Sequence, residues 1–183
     1  VPKGQGGMVA VLGSTVEAIE KLLKDNQNDI KVQIANDNSE GQIVLSGKIE
    51  ELDKLIIILK EKSIKNIKLP VSAPFHCSLM SKATNIMSEE LNKLSFLQSE
   101  NKLISNVTAN EIRDTDELKD LLIKQIENRV RWRESVINMI NNDVNHFIEI
   151  GPGKVLSGLV KRINREVKIS TINNQGDIES LEI

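Results

Sequence analysis

Between residues 8 and 71 the spacing of apolar residues switches between two and about 3.6 in an order that leaves few folds open. Residues 8–12, Met-Val-Ala-Val-Leu, form a compact apolar run closed by Gly13, the mark of a buried strand. Ser14 and Glu17 stand in a capping-box pattern, each side chain satisfying a free N–H at a helix start. Val16, Ile19, Leu22 and Leu23 continue at helical spacing toward Asn26. Ile30, Val32 and Ile34 alternate as in a strand, residues 36–41 read as a turn cluster, and residues 42–46 return as the second arm of a hairpin. Ile49, Leu52, Leu55, Ile56 and Leu59 repeat the helical stripe, and residues 64–71 make a further strand. Strand, helix, strand, strand, helix, strand is the order of a split βαβ, ferredoxin-like unit. An α+β sandwich with other strand pairing is the remaining option.

The pattern then breaks at Leu69-Pro70-Val71-Ser72-Ala73-Pro74-Phe75-His76-Cys77-Ser78-Leu79-Met80. Pro74 biases Ala73 toward extended backbone. His76, one of two histidines, follows at a strand-to-helix junction, where a side chain can face a cleft and an imidazole is suited to proton transfer. Beyond it the spacing predicts a helix over 78–93, a strand over 102–107, and a helix carrying Leu118, Leu121, Leu122 and Ile126 behind acidic Asp114 and Asp116. Trp132, Val136, Met139 and Ile140 mark another helix. A buried strand is expected at 147–150, a Gly151-Pro152-Gly153 turn, an amphipathic helix from Val155 to Ile163, and a last strand at 167–172. Alternating strands and helices imply a parallel α/β sheet. Three strands are few for a self-sufficient sheet, so this half reads as part of a larger α/β body.

Composition excludes several classes. The formal net charge is -2 over 183 residues, and no basic run is interleaved with aromatics, so no nucleic-acid partner is expected. One cysteine permits no internal disulfide and no metal cluster; no metal or cofactor is expected. No segment is long and apolar enough to span a bilayer, so no membrane association and a cytoplasmic location are expected. Gly151-Pro152-Gly153-Lys154 has N–H groups that suit an anion but lacks a phosphate-loop spacing, and reads as a structural turn. Cys77 reads as a packing residue beside His76, and His146 as structural with no polar partner in view. No Gly-x-Ser-x-Gly elbow is present, so the histidine has no nucleophile in this sequence.

Five stretches together resemble the malonyl-CoA:acyl carrier protein transacylases. These are Val-Pro-Lys-Gly-Gln-Gly-Gly-Met at 1–8, Asn36 to Gln42, Leu69 to Met80, Val130-Arg131-Trp132, and Glu149 to Leu156. The resemblance implies an α/β fold: a ferredoxin-like small subdomain at 1–72, then the C-terminal part of an α/β-hydrolase-like body at 73–183. It implies transfer of a malonyl group from malonyl-CoA to the phosphopantetheine thiol of acyl carrier protein, in fatty-acid biosynthesis, through a serine acyl-enzyme. His76 would be the general base, with Gln125 supplying an orienting backbone carbonyl. Asn36, Asn38 and Phe75 would contact substrate, Phe75 favouring a small malonyl group. The family's serine, its malonate-binding arginine and its oxyanion loop are expected upstream of Val1, making this chain inactive alone and the complete protein a monomer. An aromatic usually stands where Glu127 stands here. A polyketide-type acyltransferase and a non-catalytic remnant of the same fold are the alternatives.

Overall fold

The structure, a computed structural model, describes residues 4–181, so the first three residues of the 1–8 motif lie outside the described residues. Strand β1 (Gly6–Leu12) is followed by α1 (Val16–Asp25), β2 (Gln33–Ser39), β3 (Gln42–Lys48), α2 (Ile49–Glu61) and β4 (Lys65–Lys68). The four strands form one sheet in the order β2-β3-β1-β4, every neighbour antiparallel. This is the split βαβ arrangement, with β3 and β1 inserted between the strands that each helix joins.

The two faces of the sheet are covered by different things. Val9 and Val11 of β1 and Ile43 and Leu45 of β3 pack against Ile19 and Leu22 of α1 and Leu52, Leu55 and Leu59 of α2. Each fully buried leucine contributes about 1.5–3 kcal/mol. The opposite pleat carries Met8, Ala35 and Val44, which meet Leu69. Leu69 belongs to the segment after β4, so the sheet itself seats the histidine stretch.

Local details differ from the sequence expectation. The helix cap at α1 is Thr15, whose Oγ1 accepts the Ala18 N–H at 3.2 Å, and not Ser14. Strand β2 starts at Gln33, and its turn is only Glu40-Gly41, with Gly41 at φ 72°. Residues 36–39 are strand although they are polar, because they gain partners on both sides. Asp37 N–H donates to the Val130 carbonyl and Val130 N–H donates to that of Ala35, at 2.9 and 2.8 Å. Strand β4 is four residues long, shorter than the 64–71 expected.

The second half contains a short 3-10 turn (Ser78–Met80), α3 (Ser81–Asn92), α4 (Thr115–Gln125), α5 (Trp132–Asn141), β5 (His146–Ile150), α6 (Val155–Ile163), β6 (Lys168–Ile172) and α7 (Gln175–Glu179). Asp114 caps α4 by accepting the Glu117 N–H at 2.8 Å. Strands β5 and β6 pair in parallel, Phe147 opposite Ile169. Val136, Val160 and Val167 form a small core with Trp132 and Phe147 packed on it.

Two strands, not three, pair here among the described residues. Residues 102–107 make a single bridge, Ile104 to Glu111, held by Ser105 N–H to Asn110 O and Ile112 N–H to Leu103 O; the chain between its arms turns back through Ala109 N–H to Ser105 O, so the ladder goes no further. Strand β5 was expected to be buried; Ile148 is 39% and Ile150 78% exposed, as is 72% of Val155 after it.

Candidate active site

Three local constraints place His76. Pro74 is fully buried against β1, where a Cβ on Gly6 would lie 2.4 Å from Pro74 Cδ; glycine is required by that close approach. Cys77 is buried too, its Sγ 3.2 Å from the Pro74 carbonyl and 3.5 Å from Ser46 Oγ of β3. Its thiol faces the sheet, away from any pairing with the imidazole, as a packing residue does. Between these anchors His76 takes φ 59°, a left-handed conformation uncommon for a residue with a side chain. Backbone strain of this kind costs about 1–3 kcal/mol and persists only where neighbours enforce it.

The imidazole is half-buried and lines a cleft of about 380 Å³ with Glu20, Gln33, Ile34, Glu127, Asn128 and Arg129. His76 Nδ1 lies 2.9 Å from the backbone oxygen of Gln125. Gln125 ends α4, and the last carbonyls of a helix have no partner within it. A carbonyl can only accept, so this bond assigns the proton to Nδ1 and leaves a lone pair on Nε2. The Gln125 side chain does something else: its Nε2 donates to the Asn128 carbonyl at 2.9 Å, closing the turn after α4.

What holds that turn beside β2 is the run 129–134. Val130 bridges β2 at Asn36. Arg129 Nη1 reaches Glu20 of α1 at 3.0 Å, and Arg131 and Arg129 both pair with Glu134. The Arg131 guanidinium, chiefly through its hydrogen bonds, holds the Glu134 carboxyl below the usual carboxylate range. Arg133 forks onto Asp37, its Nε 3.0 Å from both carboxylate oxygens. A second cleft, about 230 Å³, lies beside that pair at the start of α1.

The other expected site residues do not line this cleft. Asn36 and Asn38 are half-buried on β2 and do not line the His76 cleft; Gln33 and Ile34 of the same strand do. Phe75 is 44% exposed and also outside the cleft lining. Glu127, Asn128 and Arg129 line it through the turn after α4. Reading β2 as beginning at Ile30 and turning at Asn36 hid the role of Gln33. The only signal for it was its place in an alternating strand.

One expectation is corrected by the structure, and the structural-turn reading of residues 151–153 is supported. His146 has a polar partner: Nε2 lies 2.9 Å from Ser170 Oγ across the β5–β6 pair. The Gly151-Pro152-Gly153 turn offers no open anion cradle, because the Glu149 carboxylate already accepts the Leu156 and Ser157 N–H groups at 3.1 and 2.7 Å. Gly153, at φ 94°, donates to Asn173 Oδ1 and needs the freedom of glycine. Among the described residues no group of three or more His, Cys, Asp or Glu is arranged to hold a metal, and no helix is long and apolar enough to cross a membrane.

No protein-family model matches the chain. Sequence relatives do. The malonyl CoA-acyl carrier protein transacylase of Bacillus subtilis (strain 168) is 40% identical over 181 residues, 98% of this chain and 57% of the relative. The crystal structure of a malonyl CoA-acyl carrier protein transacylase from Clostridium perfringens superposes with a TM-score of 0.93 at 40% identity, over 98% of this chain and 57% of that one. A solved complex of a type II PKS acyl-carrier protein with its malonyl-transacylase matches with a TM-score of 0.92 at 30% identity, over 98% of this chain and 59% of that one. The chain thus spans less than two thirds of the length of these relatives, with the α/β fold of the corresponding part.

Proposed function

We propose, from the premise that this chain is homologous to the malonyl CoA-acyl carrier protein transacylases along 98% of its length, that it carries the base half of a malonyl transfer site. The carrying observation is the 2.9 Å contact between His76 Nδ1 and the Gln125 carbonyl, which leaves Nε2 as the basic atom. Malonyl-CoA and the phosphopantetheine thiol of a carrier protein are the substrates, and the complex with a carrier protein among the structural relatives supports that partner.

In this reading a serine hydroxyl, supplied from the part of the relatives' length that this chain does not span, loses its proton to Nε2 as its oxygen attacks the thioester carbonyl. The tetrahedral intermediate collapses with the C–S bond breaking, and the imidazolium returns the proton to the departing CoA sulfur. Nε2 then takes the proton of the carrier thiol as its sulfur attacks the serine ester, and returns that proton to the serine oxygen as the ester C–O bond breaks. A carbonyl partner orients the ring without placing a full negative charge beside it, unlike the carboxylate of a Ser-His-Asp triad.

The test is to incubate the natural gene product with radiolabelled malonyl-CoA and a phosphopantetheinylated carrier protein. Label on the carrier, passing through a protein-bound ester, is the expected result. Absence of both the ester and the labelled carrier would support a non-catalytic remnant, and transfer of a branched acyl unit in preference to malonyl would support the polyketide-type reading.

A further inference from the structure

We infer that Gln33 is a positioning residue for His76, acting through Ser78; the inference rests on the reading of His76 as a general base. Gln33 Oε1 accepts two hydrogen bonds from one residue: Ser78 N–H at 2.8 Å and Ser78 Oγ–H at 2.8 Å. Ser78 lies two positions beyond the left-handed residue and opens the 3-10 turn that leads into α3. The same Gln33 lines the cleft with His76.

The geometry explains why such a clamp is needed. Upstream, Pro74 is fixed by burial against Gly6; immediately after His76, Cys77 is fixed by its contact with Ser46. Downstream, the 3-10 turn has no side-chain hydrogen bond from its capping residue Cys77, so the first free N–H of the turn is Ser78's. Gln33 satisfies it from the first residue of β2. The Gln125 carbonyl then holds the ring at one nitrogen while Gln33 holds the backbone that carries it. Neither contact alone fixes both χ angles and the strained backbone. A doubly accepting amide oxygen is the chemical requirement, so a carboxylate oxygen serves in its place and an aliphatic side chain does not.

The test compares Gln33→Leu and Gln33→Glu in the malonyl-transfer assay of the natural gene product, with His76→Ala alongside. Gln33→Leu is expected to lower kcat by about 10- to 100-fold, as small displacements of a reacting group do, with the KM for malonyl-CoA nearly unchanged. Gln33→Glu keeps the acceptor and is expected to recover most of kcat. Its added carboxylate favours the protonated ring, so the acidic limb of the pH–rate profile moves to higher pH. A merely structural contact would lower the unfolding temperature without splitting kcat from KM. Ser78→Ala removes one of the two donors from the other side, and its effect on kcat should be non-additive with Gln33→Leu. Parental kcat in Gln33→Leu, or a loss that Gln33→Glu fails to recover, would overturn the inference while an inactive His76→Ala leaves the base assignment standing. Full activity in His76→Ala would instead remove the reading on which it rests.

Discussion

Replacing His76 with alanine is expected to slow acyl-enzyme formation by about 10²- to 10⁴-fold, the usual loss for a positioned general base. Rapid mixing with labelled malonyl-CoA, followed by quenching, measures the burst directly. The fold should survive the change. His76 is half-buried and belongs to none of the three hydrophobic clusters; its neighbours Pro74 and Cys77 are the buried residues of this stretch. Alanine adopts the left-handed conformation elsewhere in the chain, at Ala109 with φ 58°, so the backbone at φ 59° stays accessible. The one native bond lost is that to the Gln125 carbonyl, which at a solvent-accessible helix end can turn to water. A parental burst rate would remove His76 from the chemistry. His76→Asn, which suits a left-handed backbone and lacks the basic nitrogen, serves as a second variant and is expected to show the same slow burst at a near-parental unfolding temperature; a parental burst there would remove His76 from the chemistry.

The largest expected effect on stability belongs to Arg133→Ala. Asp37 is 1% exposed, and its carboxylate meets Arg133 through Nε at 3.0 Å to each oxygen and through Nη2 at 2.9 Å. Removing the guanidinium leaves a buried charge uncompensated, which typically costs about 3–5 kcal/mol. The Arg133 side chain is itself 28% exposed, and the cleft of about 230 Å³ beside the pair admits water to the abandoned carboxylate. The lower end of that range, about 3 kcal/mol, is therefore expected. Arg133→Lys keeps the charge and loses the fork, so it should fall between parent and alanine. Urea unfolding with an unchanged m-value measures the difference. A loss below about 0.5 kcal/mol, the scale of an ordinary surface substitution, would show that the pair anchors nothing. Because Arg133 follows the bridge at Val130, its loss should also loosen the turn at Gln125–Arg129 that lines the His76 cleft.

How much of this was legible in the sequence depends on where each partner lies along the chain. The βαββαβ order was legible because each element's burial is set by neighbours within its own stripe: Leu52, Leu55 and Leu59 fall on one helical face whatever covers them. The cap at Thr15, one residue from Ser14, was not, because two adjacent hydroxyl residues compete and only backbone dihedrals decide between them. Residues 36–39 look like a turn by composition. They are strand because Val130 and Arg133, nearly a hundred positions away, supply the backbone and charge partners that polar strand residues require. The strand expected at 102–107 failed for the converse reason: apolar spacing was present, and a pairing edge was not. In the candidate site, Pro74 and His76 were visible as local punctuation, whereas Gln33 and Arg129 come from distant elements and carry no motif of their own. The contact at Gln125 entered through resemblance alone, since a backbone carbonyl has no side-chain signature.

A base role for His76 requires its proton on Nδ1 and a lone pair on Nε2. With only two histidines in the chain, the ring nitrogens can be observed by ¹⁵N NMR in the folded protein, the His146→Gln variant assigning the pair. At a pH where the ring is neutral, His76 is expected to show a protonated Nδ1 and an unprotonated Nε2, as a bond from Nδ1 to the Gln125 carbonyl requires. A His76 ring protonated at Nε2 would leave no lone pair for the serine proton, and would contradict the account.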